Sequence, residues 1–202
     1  MDNQTQEYYK NNATQLYERY QKCEGGISKY FSVFDKGSKV LDFGAGSGRD
    51  LSILLDLGLD AYGYEPCDEF RNIAISNNPI MAGRLLKNIT KKDNGAYKFE
   101  GILCSAVLMH IPDDKLSLTI KEISSLLKIN GKLLISIPLV RNDIDKELQR
   151  DKDGRLFILR SSEIYIDMFK KYNICLINEF KNIDGLGRID CSWSNLLFEG
   201  PG

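Results

Sequence analysis

The stretch that most restricts this chain is Val40-Leu41-Asp42-Phe43-Gly44-Ala45-Gly46-Ser47-Gly48-Arg49-Asp50. A short apolar strand, 39–43, runs directly into three alternate glycines, and helical spacing follows from Arg49 to Gly58. Without side chains at a sharp strand-to-helix turn, the backbone can approach a ligand closely and present amide donors. A tight connection alone would also use glycine, so position and company decide. The dinucleotide fingerprint is G-x-G-x-x-G, with an acidic residue roughly 20 positions further on. Here the third glycine comes one residue early, and Asp42 would repel a pyrophosphate. A ligand carrying an amine and a sulfonium suits this turn better.

The rest of the pattern alternates strands with helices. Residues 5–31 read as an amphipathic helix, with Tyr9, Ala13, Leu16, Tyr17 and Tyr20 at three- and four-residue spacings. Strands are predicted at 60–64, 81–88, 98–108 and 132–137, and helices at 68–76 and from Pro112 to about Lys128. Asn130-Gly131 suits a left-handed cap for the second of these. Asp153-Gly154 looks like a hairpin turn, and Ser161-Ser162 caps a last helix to about Tyr172. Two strands, 174–182 and 190–198, close the chain. Alternation of this kind predicts a parallel sheet covered on both faces, with an antiparallel hairpin at one edge. The expected fold is α/β, in one domain spanning 1–202.

Composition removes several classes of function. With 202 residues, 43% apolar and 27% charged, the chain suits a single sizeable core. The 27 basic residues against 28 acidic ones give a net charge of −1, which disfavours nucleic acid as a partner. His110 is the one histidine, so a multi-histidine zinc site is impossible, and no metal is expected. Cysteines 23, 67, 104, 175 and 191 contain no C-x-x-C pair and read as free thiols in a reducing compartment. No basic and apolar leader reads from the first residues, and the longest apolar stretch is too short to cross a bilayer. A cytoplasmic protein with no membrane partner is expected.

Glu65 ends the second strand, where its carboxylate can accept bonds from both ribose hydroxyls of a nucleoside; a solvated strand-end glutamate is the bland alternative. Taken together, the hydrophobic-hydrophobic-Asp-x-Gly-x-Gly-x-Gly run and Glu65 resemble the class I S-adenosylmethionine-dependent methyltransferases. Tyr9-Lys10-Asn11-Asn12-Ala13 resembles the N-terminal segment that lies over the cofactor in small-molecule members. Gly48-Arg49-Asp50, Val107-Leu108-Met109-His110 and Asn130-Gly131-Lys132 fall where the family has Gly-Arg-Asp, Val-Leu-x-His and Pro-Gly-Gly. The 184–193 segment is similar to the Asp…Gly-Arg…Trp ending of tellurite-resistance-type enzymes.

The resemblance implies a Rossmann-like, seven-stranded, mostly parallel sheet and S-adenosyl-L-methionine as cofactor. It places Asp42, Gly44, Ala45, Gly46 and Gly48 around the methionine part and Glu65 on the ribose. It adds Pro66, Ser105 and Ala106 to the cofactor contacts, with Tyr9 in a helical lid over 1–31. Asn88 stands nearest the aspartate that the family often sets near the adenine amine. Arg49 either pairs with the cofactor carboxylate or is a solvated first-turn residue.

Methyl transfer is an in-line displacement, and a soft nucleophile needs little help beyond alignment. An alcohol or ammonium acceptor must lose a proton, and His110 is the obvious base. A substrate contact, a cofactor contact or a backbone-bonded core histidine are its other readings. The substrate side is expected from residues 1–30, an insertion at 139–160 and the final hairpin. Arg141, Arg155 and Arg188 are candidates for an anionic acceptor, since guanidinium recognises such groups bidentately. Trp193 either walls that pocket or packs as ordinary core. No Asp/Asn-Pro-Pro-aromatic motif follows the fourth strand, and Pro66-Cys67 follows the second strand rather than the fourth. Nucleobase methylation is therefore disfavoured. The expected function is methyl transfer to a small molecule, with a thiol or chalcogen oxyanion as acceptor. The alternatives are O- or N-methylation of a metabolite and a non-catalytic cofactor-binding domain. A protein partner is compatible with the sequence but not indicated by it.

Overall fold

A computed structural model of the chain describes residues 1–23, 26–89 and 98–202. Its helices are α1 (Asn3–Asn11), α2 (Ala13–Gln21), α3 (Arg49–Asp56), α4 (Asp68–Asn77), α5 (Asp113–Leu126) and α6 (Ser162–Lys170). Its strands are β1 (Lys39–Phe43), β2 (Asp60–Tyr64), β3 (Leu85–Leu86), β4 (Phe99–Ser105), β5 (Leu127–Arg141), β6 (Ile144–Asp145), β7 (Arg150–Asp151), β8 (Cys175–Ile183) and β9 (Cys191–Glu199). Seven strands form one sheet in the order β3-β2-β1-β4-β5-β9-β8, and β6 and β7 form a separate small hairpin. The first five run parallel, while β9 is antiparallel to both β5 and β8. This is the Rossmann-like arrangement expected. Strand order reverses between β1 and β4, which opens a crevice at their carboxyl ends.

Alternating side chains divide the sheet between two cores. Leu41, Ile102, Leu133, Ile135 and Phe198 meet Leu116, Ile120 and Ile123 of α5, together with Tyr165 and Phe169 of α6. Val40, Ala61, Leu103, Leu134 and Leu197 meet Leu51 and Leu54 of α3, with Phe31 and Phe34 beside them. Each fully buried aliphatic or aromatic side chain contributes about 1.5–3 kcal/mol, which makes these layers a rigid base for the crevice.

Several local expectations are corrected. The single helix expected over 5–31 is instead α1, α2 and a 3₁₀ segment, Gly26–Val33. The break falls at Asn12, whose side-chain amide donates to the Tyr8 carbonyl at 2.8 Å and competes with the helical ladder. The third strand shrinks from 81–88 to two residues, because Pro79–Met81 is 3₁₀ and Gly83 turns at φ +77°. β4 stops at Ser105 because Ala106 takes a left-handed conformation, φ +56°. Leu108–His110 is then a short 3₁₀ turn. α5 ends at Leu126, and Asn130, at φ +56°, kinks β5 rather than capping the helix. β5 outruns 132–137 and continues to Arg141, with a register shift between Pro138 and Val140 that accommodates the proline. The Asp153-Gly154 turn is as expected, closed by a bond from the Gly154 amide to the Asp151 carbonyl at 2.9 Å. All five cysteines are unpaired. No helix among the described residues is long and apolar enough to cross a membrane.

Candidate active site

The carboxyl end of β1 opens into a cavity of about 700 Å³. Its cofactor-facing side is built by the glycine turn. Gly46 sits at φ +53°, and a Cβ added there would meet nothing within 4 Å, so this edge of the turn faces open space. Gly48 serves packing instead: a Cβ there would come within 2.6 Å of the Met81 sulfur. The turn's amides point inward. Gly44 and Ala45 donate to the Tyr64 carbonyl at 2.8 and 2.9 Å, and Gly46 donates to Glu65 Oε2 at 2.9 Å. Their engagement distinguishes this turn from one that cradles a phosphate with free amides.

Glu65 is 8% exposed, and its second oxygen accepts from the Cys67 amide at 2.8 Å. Burial pushes its carboxyl up, opposed by the Cys67 and Gly46 amides. Two amide bonds fix the carboxylate, and its remaining lone pairs are available to a diol. Asp42 is 1% exposed, and its Oδ2 has no hydrogen-bond partner among the described residues. Burial first, then the charges of Asp50 and Glu65, push its carboxyl well above the ordinary range, against the pull of Arg49. Asp50 is buried too and accepts two bonds from Arg49, at 3.0 and 2.6 Å. Arg49 thus pairs with Asp50, and Arg71, which donates to the Glu65 backbone carbonyl at 2.7 Å, favours the Glu65 carboxylate, while Asp42 keeps one oxygen without a partner. A cation beside Asp42 would supply its missing partner.

His110 is 2% exposed and closes the cavity above the β4 turn. Its Nδ1 lies 2.6 Å from the Leu156 carbonyl oxygen, which can only accept, so Nδ1 carries the proton. Burial lowers its pKa to about 4, which keeps the ring neutral at physiological pH. Nε2 therefore accepts, and the Tyr9 hydroxyl donates to it at 3.0 Å. On the far side, each candidate arginine is held by an aspartate of its own. Arg141 donates to both oxygens of Asp143 at 2.7 Å and lies 4.4 Å from the Phe157 ring centroid. Arg155 pairs with Asp151 at 2.5 Å, and Arg188 pairs with Asp184 at 2.6 Å. Trp193 Nε1 also donates to Asp184, at 2.8 Å. Burial alone would raise the Asp184 carboxyl, yet these bonds from Arg188 and Trp193 bring it down to about 2.

The structure thus brings Tyr9, Asp42, Gly44, Ala45, Gly46, Arg49, Glu65, Pro66, Ser105, Ala106, His110, Arg141, Arg188 and Trp193 around one cavity, with Arg155. Gly48 and Asn88 do not line it; Asn88 is exposed beyond β3. Arg49 donates to Asp50 at 2.6 Å and to the Cys23 carbonyl at 3.3 Å. Sequence reasoning missed Asp50 as a carboxylate of the site, although Gly-Arg-Asp signalled it. It also missed Asp184 as the group that holds Arg188 and Trp193, and Phe157, which no local pattern marks.

The profile of one family, described as a methyltransferase domain, matches residues 15–177. The chain belongs to the methyltransferase-domain family. It is a methyltransferase. No curated protein matches this methyltransferase in sequence. Among solved structures it is similar to 1,6-didemethyltoxoflavin-N1-methyltransferase from Burkholderia thailandensis, bound to 1,6-didemethyltoxoflavin and S-adenosylhomocysteine. The TM-score is 0.71 at 16% identity, over 97% of this chain and 88% of that one. It is also similar to magnesium protoporphyrin IX methyltransferase from Synechocystis PCC 6803, with a TM-score of 0.69 at 14% identity over 99% and 98% of the two chains. A Haloferax volcanii methyltransferase solved with the Trm112 activator gives 0.71 at 12% identity, over 98% of each chain. These likenesses concern the fold. The fit of a cationic nucleoside rests on this chain's own residues, the orphaned Asp42 oxygen and the open side of Gly46.

Proposed function

We propose that this methyltransferase acts on a small-molecule acceptor that attacks as a soft nucleophile, a thiol or a chalcogen oxyanion, as in the tellurite-resistance-type enzymes. The observation that carries this reading is the state of His110. Its lone pair already accepts the Tyr9 hydroxyl, and a pKa of about 4 makes it a feeble base at neutral pH. An ammonium or alcohol acceptor would find no effective proton acceptor there. A thiol near its ordinary pKa of about 8.5 already supplies some thiolate without one.

In this reading the bound cofactor supplies an electrophilic methyl group on a sulfonium. Asp42 and the 44–46 turn hold its methionine end, and Glu65 holds the ribose. Pro66, Ser105 and Ala106 flank the nucleoside. Residues 1–31 act as the lid, and 139–160 with Arg141, Arg188 and Trp193 form the acceptor side. His110 and Tyr9 exclude water where the methyl group is exposed. A reducing, cytoplasmic setting accords with five unpaired cysteines.

The resemblance in fold to an N1-methyltransferase supports a second reading, transfer to an amine or alcohol of a metabolite. Labelled S-adenosylmethionine, offered with simple thiols, selenite, tellurite and a panel of amines and alcohols, separates the two. Label in the thiol or chalcogen arm supports the first reading. Label confined to amines or alcohols would replace it. Cofactor binding with no product in any arm would leave the non-catalytic alternative.

A further inference from the structure

α1 reaches the acceptor side through a closed circuit of hydrogen bonds. The Leu156 amide donates to Thr5 Oγ1 at 2.8 Å. The Leu156 carbonyl accepts from His110 at 2.6 Å, and His110 accepts from Tyr9 at 3.0 Å. Tyr9 and Thr5 lie one turn apart on α1, which closes the ring. Thr5 is the one buried residue of that helix, and neither it nor Leu156 lines the cavity. The helix is also held by Asp2 to Arg150, by the Tyr8 hydroxyl to Asp153 at 3.3 Å, and by Tyr8 and Tyr9 packed against Ala13, Leu16 and Phe70. A nine-residue helix with one fully buried residue opens at lower free-energy cost than the core, and single hydrogen bonds then weigh on how often.

We propose that Thr5 is a positioning residue: by fixing Leu156 it orients His110, which holds the Tyr9 hydroxyl and keeps α1 closed over the cofactor. The proposal rests on the reading of residues 1–31 as a lid. His110 in this role is a latch between the lid and the 139–160 segment that carries Leu156, and both sides of the cavity close as one body. The coupling is reciprocal, so whatever orders that segment also tightens cofactor binding.

The test is the dissociation rate of S-adenosylhomocysteine from the full chain, followed by stopped flow. Thr5→Val, which touches nothing in the cavity, is expected to speed release about three- to tenfold, the range for loss of one hydrogen bond. Tyr9→Phe is expected to match it. The double variant should be no faster than either single one, because the two bonds act in series. Thr5→Ser, which keeps the hydroxyl, should restore the slow rate. If Thr5→Val does not fold, Thr5→Ala carries the same comparison.

Release within about twofold of the parent for both single variants would overturn the latch, since loss of one bond predicts more. Multiplying effects in the double variant would overturn it as well. If the parent chain binds S-adenosylhomocysteine but Tyr9→Phe alone changes release, Thr5 is structural only and the lid reading survives. If neither variant alters release and α1 amides exchange equally with and without ligand, the lid reading itself falls.

Discussion

The two sides of the cavity solve their electrostatics in opposite ways. On the cofactor side, Arg49 pairs with Asp50, the Gly46 and Cys67 amides hold Glu65, and one buried oxygen of Asp42 is left without a partner. On the acceptor side, Arg141, Arg155 and Arg188 each have an aspartate within 2.7 Å. The first half is built with a deficit that a cationic ligand makes good. The second is complete by itself, and its charges hold the walls in shape. Function is therefore easier to read where the protein is electrostatically unsatisfied, because a buried polar group without a partner costs stability and is retained for a reason.

The largest expected effect lies on the cofactor side. Glu65→Ala should weaken S-adenosylhomocysteine binding by about 1–3 kcal/mol, the cost of losing charged hydrogen bonds. Calorimetry measures this directly, and the melting midpoint checks that the turn survives, since the Gly46 and Cys67 amides also lose their acceptor. Affinity equal to the parent's in a folded variant would remove Glu65 from the ribose.

The mirror experiment on the acceptor side should leave cofactor affinity nearly untouched. Asp184 accepts from the Leu186 and Arg188 amides, the Arg188 side chain and Trp193. Asp184→Ala should therefore cost about 1–3 kcal/mol of stability, read by denaturant unfolding. Trp193 is the one tryptophan, so its fluorescence reports on this wall alone. A shift in its emission with no change in S-adenosylhomocysteine affinity is the expected pairing. Loss of cofactor affinity comparable to that of Glu65→Ala would mean that the two sides are not separate.

The same contrast accounts for what the sequence could reveal. Asp42, the glycine turn and Glu65 lie within 24 residues, and their spacing is dictated by two strands and one helix, so they were legible. So was the sheet, because buried parallel strands write themselves as apolar runs. The latch was not: Tyr9 and His110 are separated by 101 positions, and Thr5 and Leu156 by 151. Nothing local distinguishes such a threonine from any other helical one. Asn88 follows a β3 of only two residues, and it is exposed and does not line the cavity. The arginines were recognised as candidates, but sequence offered no view of the aspartates that occupy them.

The smallest expected effect is also the most specific to the cofactor side. The Asp42 carboxyl is raised in the folded protein, so between its unfolded and folded pKa values the native state binds the extra proton. Stability therefore falls as pH rises through that window, the reverse of a salt-bridged aspartate. Asp42→Asn removes this titration. The ligand-free variant should melt slightly above the parent at neutral pH and converge with it in acid, where the parent carboxyl is protonated. The gain should vanish, or reverse, when S-adenosylmethionine is present, because the neutral amide no longer complements a cation. Asp184, held down at about 2, predicts the opposite slope: its stabilisation is full above the ordinary aspartate range and is lost only as pH falls towards that value. Melting curves of the parent, Asp42→Asn and Asp184→Ala from about pH 2 to about pH 8, with and without cofactor, resolve the two signs. A ligand-free Asp42→Asn protein that melts below the parent at neutral pH would mean that the orphaned carboxylate stabilises the fold, and the asymmetry between the two halves would lose its physical basis.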